Sequence, residues 1–173
     1  MSVPTHAVAM TATINGPVGR IHVDDGGEGG MPVVFVHSFA GASDHWFASL
    51  AHLRPTRRAV AIDLRGHGES DPPRAGSYAP VDLAADIAAV VDSLELDRFV
   101  LVGHSMGGAA AIAYAGANPD RVAGLVLVGT PGRTPQAQAD KVMAALDADY
   151  EIAFGRRLEP THDVVALAAG ETE

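Results

Sequence analysis

The run Gly103-His104-Ser105-Met106-Gly107-Gly108 sets a serine between two glycines, at the spacing of a nucleophile held on a sharp turn. A strand-like stretch, Phe99 to Val102, precedes it and an Ala- and Gly-rich helical stretch, Met106 to Ala117, follows. A serine on such a turn is forced into a strained backbone that lifts its hydroxyl into the open, and side chains at 103 and 107 would collide across the bend. It also stands at a helix N-terminus, where unpaired N–H groups and the positive end of the helix dipole favour the oxyanion formed when a carbonyl is attacked. The chemistry this suggests is acyl transfer, with Ser105 as nucleophile and the Met106 N–H as the first oxyanion donor. A second donor is expected from the loop after the Val33 strand, His37-Ser38-Phe39-Ala40-Gly41, with the Phe39 N–H as the candidate. The competing reading is a Gly-rich turn that only packs a helix tightly on its strand.

Other residues carry less. Asp63 and the following Arg65-Gly66-His67-Gly68 read as a structural turn in which the carboxylate caps local N–H groups. His37 and His104 flank the presumed site, and packing or hydrogen bonding is expected of them rather than proton transfer. Trp46 and Phe47 line a pocket or fill the core, with core favoured. The eight histidines show no metal-ligand spacing, so no metal is expected. Asp24 to Gly30, DDGGEGG, is a solvated loop, because no Lys-Ser/Thr follows its glycines as a phosphate cradle requires. The basic pairs Arg57-Arg58 and Arg156-Arg157 read as solvated or ion-paired.

Elements that would position these residues are visible in the hydrophobic pattern. Met10 to Ile14 and Arg20 to Val23, separated by Asn15-Gly16-Pro17, predict a hairpin. From Val33 onward, continuous apolar runs alternate with helical segments, the pattern of parallel strands buried on both faces. The predicted strands are Val33 to Val36, Ala59 to Ile62, Phe99 to Val102 and Leu125 to Val128. Between them Ser43 caps a predicted helix to about Leu53. Pro80 opens another to Leu94, with Val81, Ala84, Ala88 and Val91 on one face. Met106 to Ala117 is the third, stopped by Asn118-Pro119. The fold class is therefore α/β, with a mostly parallel sheet, an N-terminal hairpin and flanking helices. After Thr130-Pro131-Gly132 the texture becomes polar and Ala-rich, and Pro135 to Phe154 reads as an amphipathic helical stretch.

The blocks VVFVHSFAG, AIDLRGHGES, FVLVGHSMGGAAAIAYA and RVAGLVLVGT, in that order, resemble the α/β-hydrolase superfamily, specifically its cofactor-free esterase, C–C hydrolase and haloperoxidase-like branch. The resemblance covers about Met10 to Thr130. It implies Ser105 as nucleophile, Phe39 and Met106 as the oxyanion hole, and no cofactor. Members with an Asp nucleophile are disfavoured by Ser105 itself. Two departures stand out. Ser38 occupies a position where the family has glycine. Only 44 residues follow Gly129, whereas the family's acid and His come after later strands, so the fold is expected to be truncated before its last strands. His162 is the one histidine after Ser105, and a surface role is expected of it. Val164 to Ala169, followed by Gly170-Glu171-Thr172-Glu173, could imitate the family's seventh strand and its acid turn, with Glu173 at the acid position. The resulting division is 1–132 as hydrolase core and 133–173 as a partial cap-like helical segment and tail.

Charge and composition bound the partners. Twelve Lys and Arg against 21 Asp and Glu give a net charge of −9, which argues against a nucleic-acid-coating protein. There is no cysteine, so disulfides, thiolate metal sites and Cys nucleophiles are removed together. The start of the chain lacks a secretory signal pattern, and no apolar run is long enough to span a bilayer, so a soluble, cytoplasmic protein is expected. The expected activity is that of a serine hydrolase acting on an ester, thioester or similar carbonyl of a small-molecule acyl substrate. The alternative is a catalytically inactive, truncated chain that serves as a binding or scaffold protein or needs a second chain to complete the triad. On that alternative Leu125 to Val128 would be left as an unpaired, apolar sheet edge, inviting homo-oligomerisation.

Overall fold

Seven strands and three helices alternate along the chain in the computed structural model, which describes residues 10–73, 78–130 and 164–167. All described residues belong to one compact unit. The strands are β1 (Met10–Asn15), β2 (Arg20–Gly26), β3 (Val33–Val36), β4 (Ala59–Ile62), β5 (Phe99–His104), β6 (Val122–Val128) and β7 (Val164–Leu167). The helices are α1 (Phe47–Leu53), α2 (Pro80–Ser93) and α3 (Met106–Ala117).

The sheet order is β1-β2-β4-β3-β5-β6-β7. β4, β3, β5 and β6 pair in parallel, while the β1–β2 hairpin joins β4 antiparallel through β2. Central strands dominated by Val, Ile and Ala suit burial on both sides, and side chains alternate between two cores accordingly. Val34, Val36, Val60, Ile62, Phe99 and Leu101 face one core, completed by α2 and α3. Val33, Phe35, Ala59, Ala61 and Val102 face the other, closed by Leu50 of α1. Small residues let α3 lie close to the sheet.

The chain steps from β3 outward to β4, then crosses back over to β5 on the other side of β3. The helix after β3 covers one face and the helix after β5 covers the other. Such a reversal opens a crevice at the carboxyl ends of the two strands, the usual ligand position in open α/β sheets. The loops leaving β3 and β5 carry Phe39 and Ser105.

Three sequence expectations are corrected here. Ser43 does not cap a long helix: Ser43–Trp46 form a 3₁₀ turn before α1, because the Ser43 N–H is bonded to the Asp63 carboxylate at 2.5 Å. On α2 the inward face is Leu83, Ala84, Ile87, Val90 and Val91, while Val81 is exposed. The larger apolar side chains turn inward, and Asp86 comes with them onto Arg65. The Leu125 to Val128 segment is not an unpaired edge. β7 pairs with it antiparallel, Val164 opposite Val128 and Leu167 opposite Leu125, satisfying its open backbone groups. That direction differs from the parallel seventh strand of the resemblance, and the acid turn expected at Gly170 to Glu173 lies outside the described residues. His162, Glu173, Arg156-Arg157 and the Pro135 to Phe154 stretch lie outside the described residues. Among the described residues no helix is long and apolar enough to cross a membrane.

Candidate active site

Ser105 is the only residue between β5 and α3, so the chain reverses from strand to helix around it. Its backbone is held at φ 50°, ψ −110°, well away from the ordinary left-handed region near ψ +47°. Such a conformation costs on the order of 1–3 kcal/mol and persists only where the surroundings impose it. Here the Ser105 N–H donates to the Val128 carbonyl at 2.9 Å, and the Ser105 carbonyl accepts from the Ala109 N–H at 3.1 Å. β6 and the first turn of α3 thus grip the bend from both sides.

A serine preceding a helix ordinarily turns its hydroxyl onto an N–H of the first turn. Ser105 makes no such cap, and none of the other described residues hydrogen-bonds its hydroxyl. Met106 is the first helical residue, so its N–H has no carbonyl one turn behind it to bond. A hydroxyl oxygen and an amide donor therefore stand on adjacent residues at the positive end of α3.

The approach of α3 to β3 depends on Gly107. A Cβ there would run into the His37 carbonyl oxygen and lie 2.6 Å from that of Val36. At Gly103 a Cβ would lie 2.6 Å from the Gly107 carbonyl oxygen and the Gly108 Cα. These contacts bring the start of α3 against the beginning of the Phe39 loop, as the glycine spacing predicts.

That loop is pinned by His37, which is fully buried. One imidazole nitrogen, Nδ1, lies 2.7 Å from the Ser38 carbonyl oxygen, and the other, Nε2, accepts the Leu64 N–H at 3.0 Å. A carbonyl only accepts and an amide only donates, so the ring is neutral with its proton on Nδ1. Burial pushes its pKa down to about 4, against the opposing pull of the Ser38 carbonyl. The Ser38 carbonyl also accepts from the Gly41 N–H at 3.0 Å, and Ala40 takes φ 54°. Among the described residues, two of the three non-glycine residues at positive φ, Ala40 and Ser105, thus belong to this site.

Asp63 serves the scaffold, as expected. Its carboxylate accepts the N–H groups of Ser43 and Glu69 and lies 2.9 Å from His22 Nδ1. Burial alone would raise this carboxyl, but those bonds, the Ser43 hydroxyl and His22 outweigh it and hold it below the usual carboxylate range. Arg58 is ion-paired to Asp25, again as expected. Trp46 packs at 4.8 Å between ring centroids on Phe35, whereas Phe47 is exposed, so the pair divides between core and surface. His104 is half-buried, and burial, with the nearby His45, lowers its pKa. Among the described residues no group of three His, Asp or Glu could hold a metal ion. Tyr78, in the same connection between β4 and α2 as His67, was not singled out from the sequence; it lies in no motif, and only the fold brings its ring near His67.

The model of the alpha/beta hydrolase fold matches residues 31–162, and the chain belongs to that family. It is 43% identical over 108 residues to the dihydrolipoyllysine-residue acetyltransferase component of the acetoin cleaving system of Pseudomonas putida, covering 62% of this chain and 29% of that protein. It is 40% identical over 120 residues to a non-heme chloroperoxidase of Streptomyces lividans, covering 68% and 43%. Among solved structures it is similar to an esterase from Exiguobacterium antarcticum, with a TM-score of 0.75, 27% identity, and 83% and 58% of the two chains covered. The chain spans less than half the length of these two curated relatives.

Proposed function

We propose that this chain carries the nucleophile and oxyanion hole of a serine hydrolase acting on an ester, thioester or similar carbonyl. Ser105 Oγ attacks the carbonyl carbon, and the Met106 and Phe39 N–H groups hold the developing oxyanion. Water then releases the acyl group. The reading rests on one observation above all: a strained Ser105 whose hydroxyl leaves its own helix uncapped. The esterase among the similar structures supports the same reaction class.

Turnover of p-nitrophenyl acetate tests this. The wild-type chain is expected to exceed the buffer rate and Ser105→Ala to fall to it; equal rates in the two proteins overturn the reading.

A second reading is favoured by the hydroxyl's lack of a described imidazole partner. In it the chain binds acyl groups but completes its triad only with a second chain. A triad lacking its base loses on the order of 10⁶ in rate, while the oxyanion hole and binding keep about 10³–10⁴ over water. Size-exclusion chromatography coupled to the same assay separates the two. Activity that stays with a monomer supports the first reading, and activity confined to an associated species supports the second.

A further inference from the structure

The glycine spacing around Ser105 accounts for Gly103 and Gly107 but not for Gly108, one residue further into α3. Gly108 is buried, and its missing side chain makes room for a residue that follows another strand. A Cβ there would collide with the Thr130 hydroxyl oxygen and lie 2.7 and 2.8 Å from Thr130 Cγ2 and Cβ. The threonine side chain is therefore seated on the backbone of the first turn of α3.

Thr130 reaches that seat through a turn just past β6. Gly129, at φ 53°, bends the chain, and the Thr130 hydroxyl then donates back to the Val128 carbonyl at 3.3 Å. The same carbonyl accepts the Ser105 N–H at 2.9 Å. A carbonyl oxygen has two lone pairs, so it can serve both donors at once. One side chain thus holds the bend at two points: Ser105 through a shared carbonyl, and α3 through Gly108.

Both points bear on the strain stored at Ser105. A backbone at φ 50°, ψ −110° persists only while its surroundings impose it. If the grip from the end of β6 loosens, the Ser105–Met106 peptide can rotate toward an ordinary conformation and carry the hydroxyl and the Met106 N–H with it. Those are the two groups on this bend that the proposed reaction uses.

We propose that Thr130 is a positioning residue for the nucleophile, its hydroxyl fixing the Val128 carbonyl on Ser105 and the start of α3 against the end of β6. The proposal rests on the serine reading above and adds a third segment, the turn after β6, to the machinery. Thr130 acts through the backbone of the bend and not on the reacting atoms.

The test measures how fast a fluorophosphonate labels the Ser105 peptide of the full chain. Mass spectrometry reads the adduct over a range of probe concentrations, at a temperature below each protein's melting transition. The Ser105 oxygen displaces fluoride from phosphorus, and the hydroxyl proton passes to water. Thr130→Ala is expected to lower the maximal labelling rate about fivefold, the worth of one neutral hydrogen bond, with the half-saturating probe concentration unchanged. Thr130→Ser, which restores the hydroxyl without the methyl, is expected to label at the wild-type rate. Labelling of Thr130→Ala as fast as the wild type overturns the assignment. So does labelling of Thr130→Ser as slow as Thr130→Ala, since the seat would then need bulk and not a hydrogen bond. A loss carried wholly by the half-saturating concentration also overturns it, because positioning acts on the attack step. These three outcomes leave the serine reading standing, whereas a wild-type chain that never labels at Ser105 defeats that reading and the Thr130 assignment together.

Discussion

At the residue scale, the site depends on His37 being neutral. Its Nε2 accepts an amide and its Nδ1 proton reaches a carbonyl, so a second proton would break the bond to Leu64. The folded pKa of about 4 lies below the ordinary value of 6.5, so between those pH values the unfolded chain binds the extra proton more readily. Stability from this group is fully present above about pH 6.5 and is lost as pH falls toward 4, amounting to about 3 kcal/mol in total. Asp63 acts in the same direction, because its folded pKa is also lowered, but its stabilisation is lost only below the ordinary carboxylate pKa of 3.8, so the two windows separate. Urea unfolding at pH 7 and pH 4.5 should show the loss in the wild type and a flatter dependence in His37→Asn. A second residue-scale expectation concerns Gly107. Gly107→Ala drives a methyl into the His37 carbonyl and should destabilise by at least about 2 kcal/mol or displace the Phe39 loop, read as a lowered melting temperature together with loss of the proposed esterase activity. The two glycines and the serine were legible in the sequence because backbone clashes act over a few residues. The double anchoring of His37 was not, because Leu64 is 27 positions away.

At the element scale, the central strands were legible because burial on both faces leaves continuous apolar runs, and Val33–Val36 and Ala59–Ile62 emerge with the expected bounds. Helix orientation was less legible. Val81 belongs to the apolar spacing of α2 yet is exposed, since rotation about the helix axis was decided by Leu83, Ile87 and a buried charge. That charge is Asp86, which binds the Arg65 guanidinium through both oxygens at 2.8 and 2.7 Å and also accepts the Arg65 N–H. The pair fastens α2 to the loop after β4, beneath His67. Removing one partner strands the other charge in the interior, so Asp86→Ala should cost about 3–5 kcal/mol. Arg65→Met with Asp86→Leu should recover much of that loss in chemical denaturation. Recovery absent from the double variant would mean that the loop depends on the ion pair's hydrogen bonds and not only on charge balance.

At the scale of the whole molecule, chain order reverses between β3 and β5, and no single segment encodes that reversal. The order of motifs nonetheless announced the family, because each motif marks the loop at the carboxyl end of one parallel strand. The direction of β7 was illegible: four apolar residues pair equally well either way, and only the fold shows them antiparallel to β6. A net charge of −9 acts over the entire surface and disfavours anionic polymers as partners. What unites these scales is a serine oxygen held outside its own helix.

Labelling with a fluorophosphonate, followed by peptide mass mapping, measures that most directly. A phosphonyl adduct on the peptide containing Ser105, absent from Ser105→Ala, is the predicted result. A chain that takes no label, or takes it on another residue while Ser105 stays unmodified, would contradict the account.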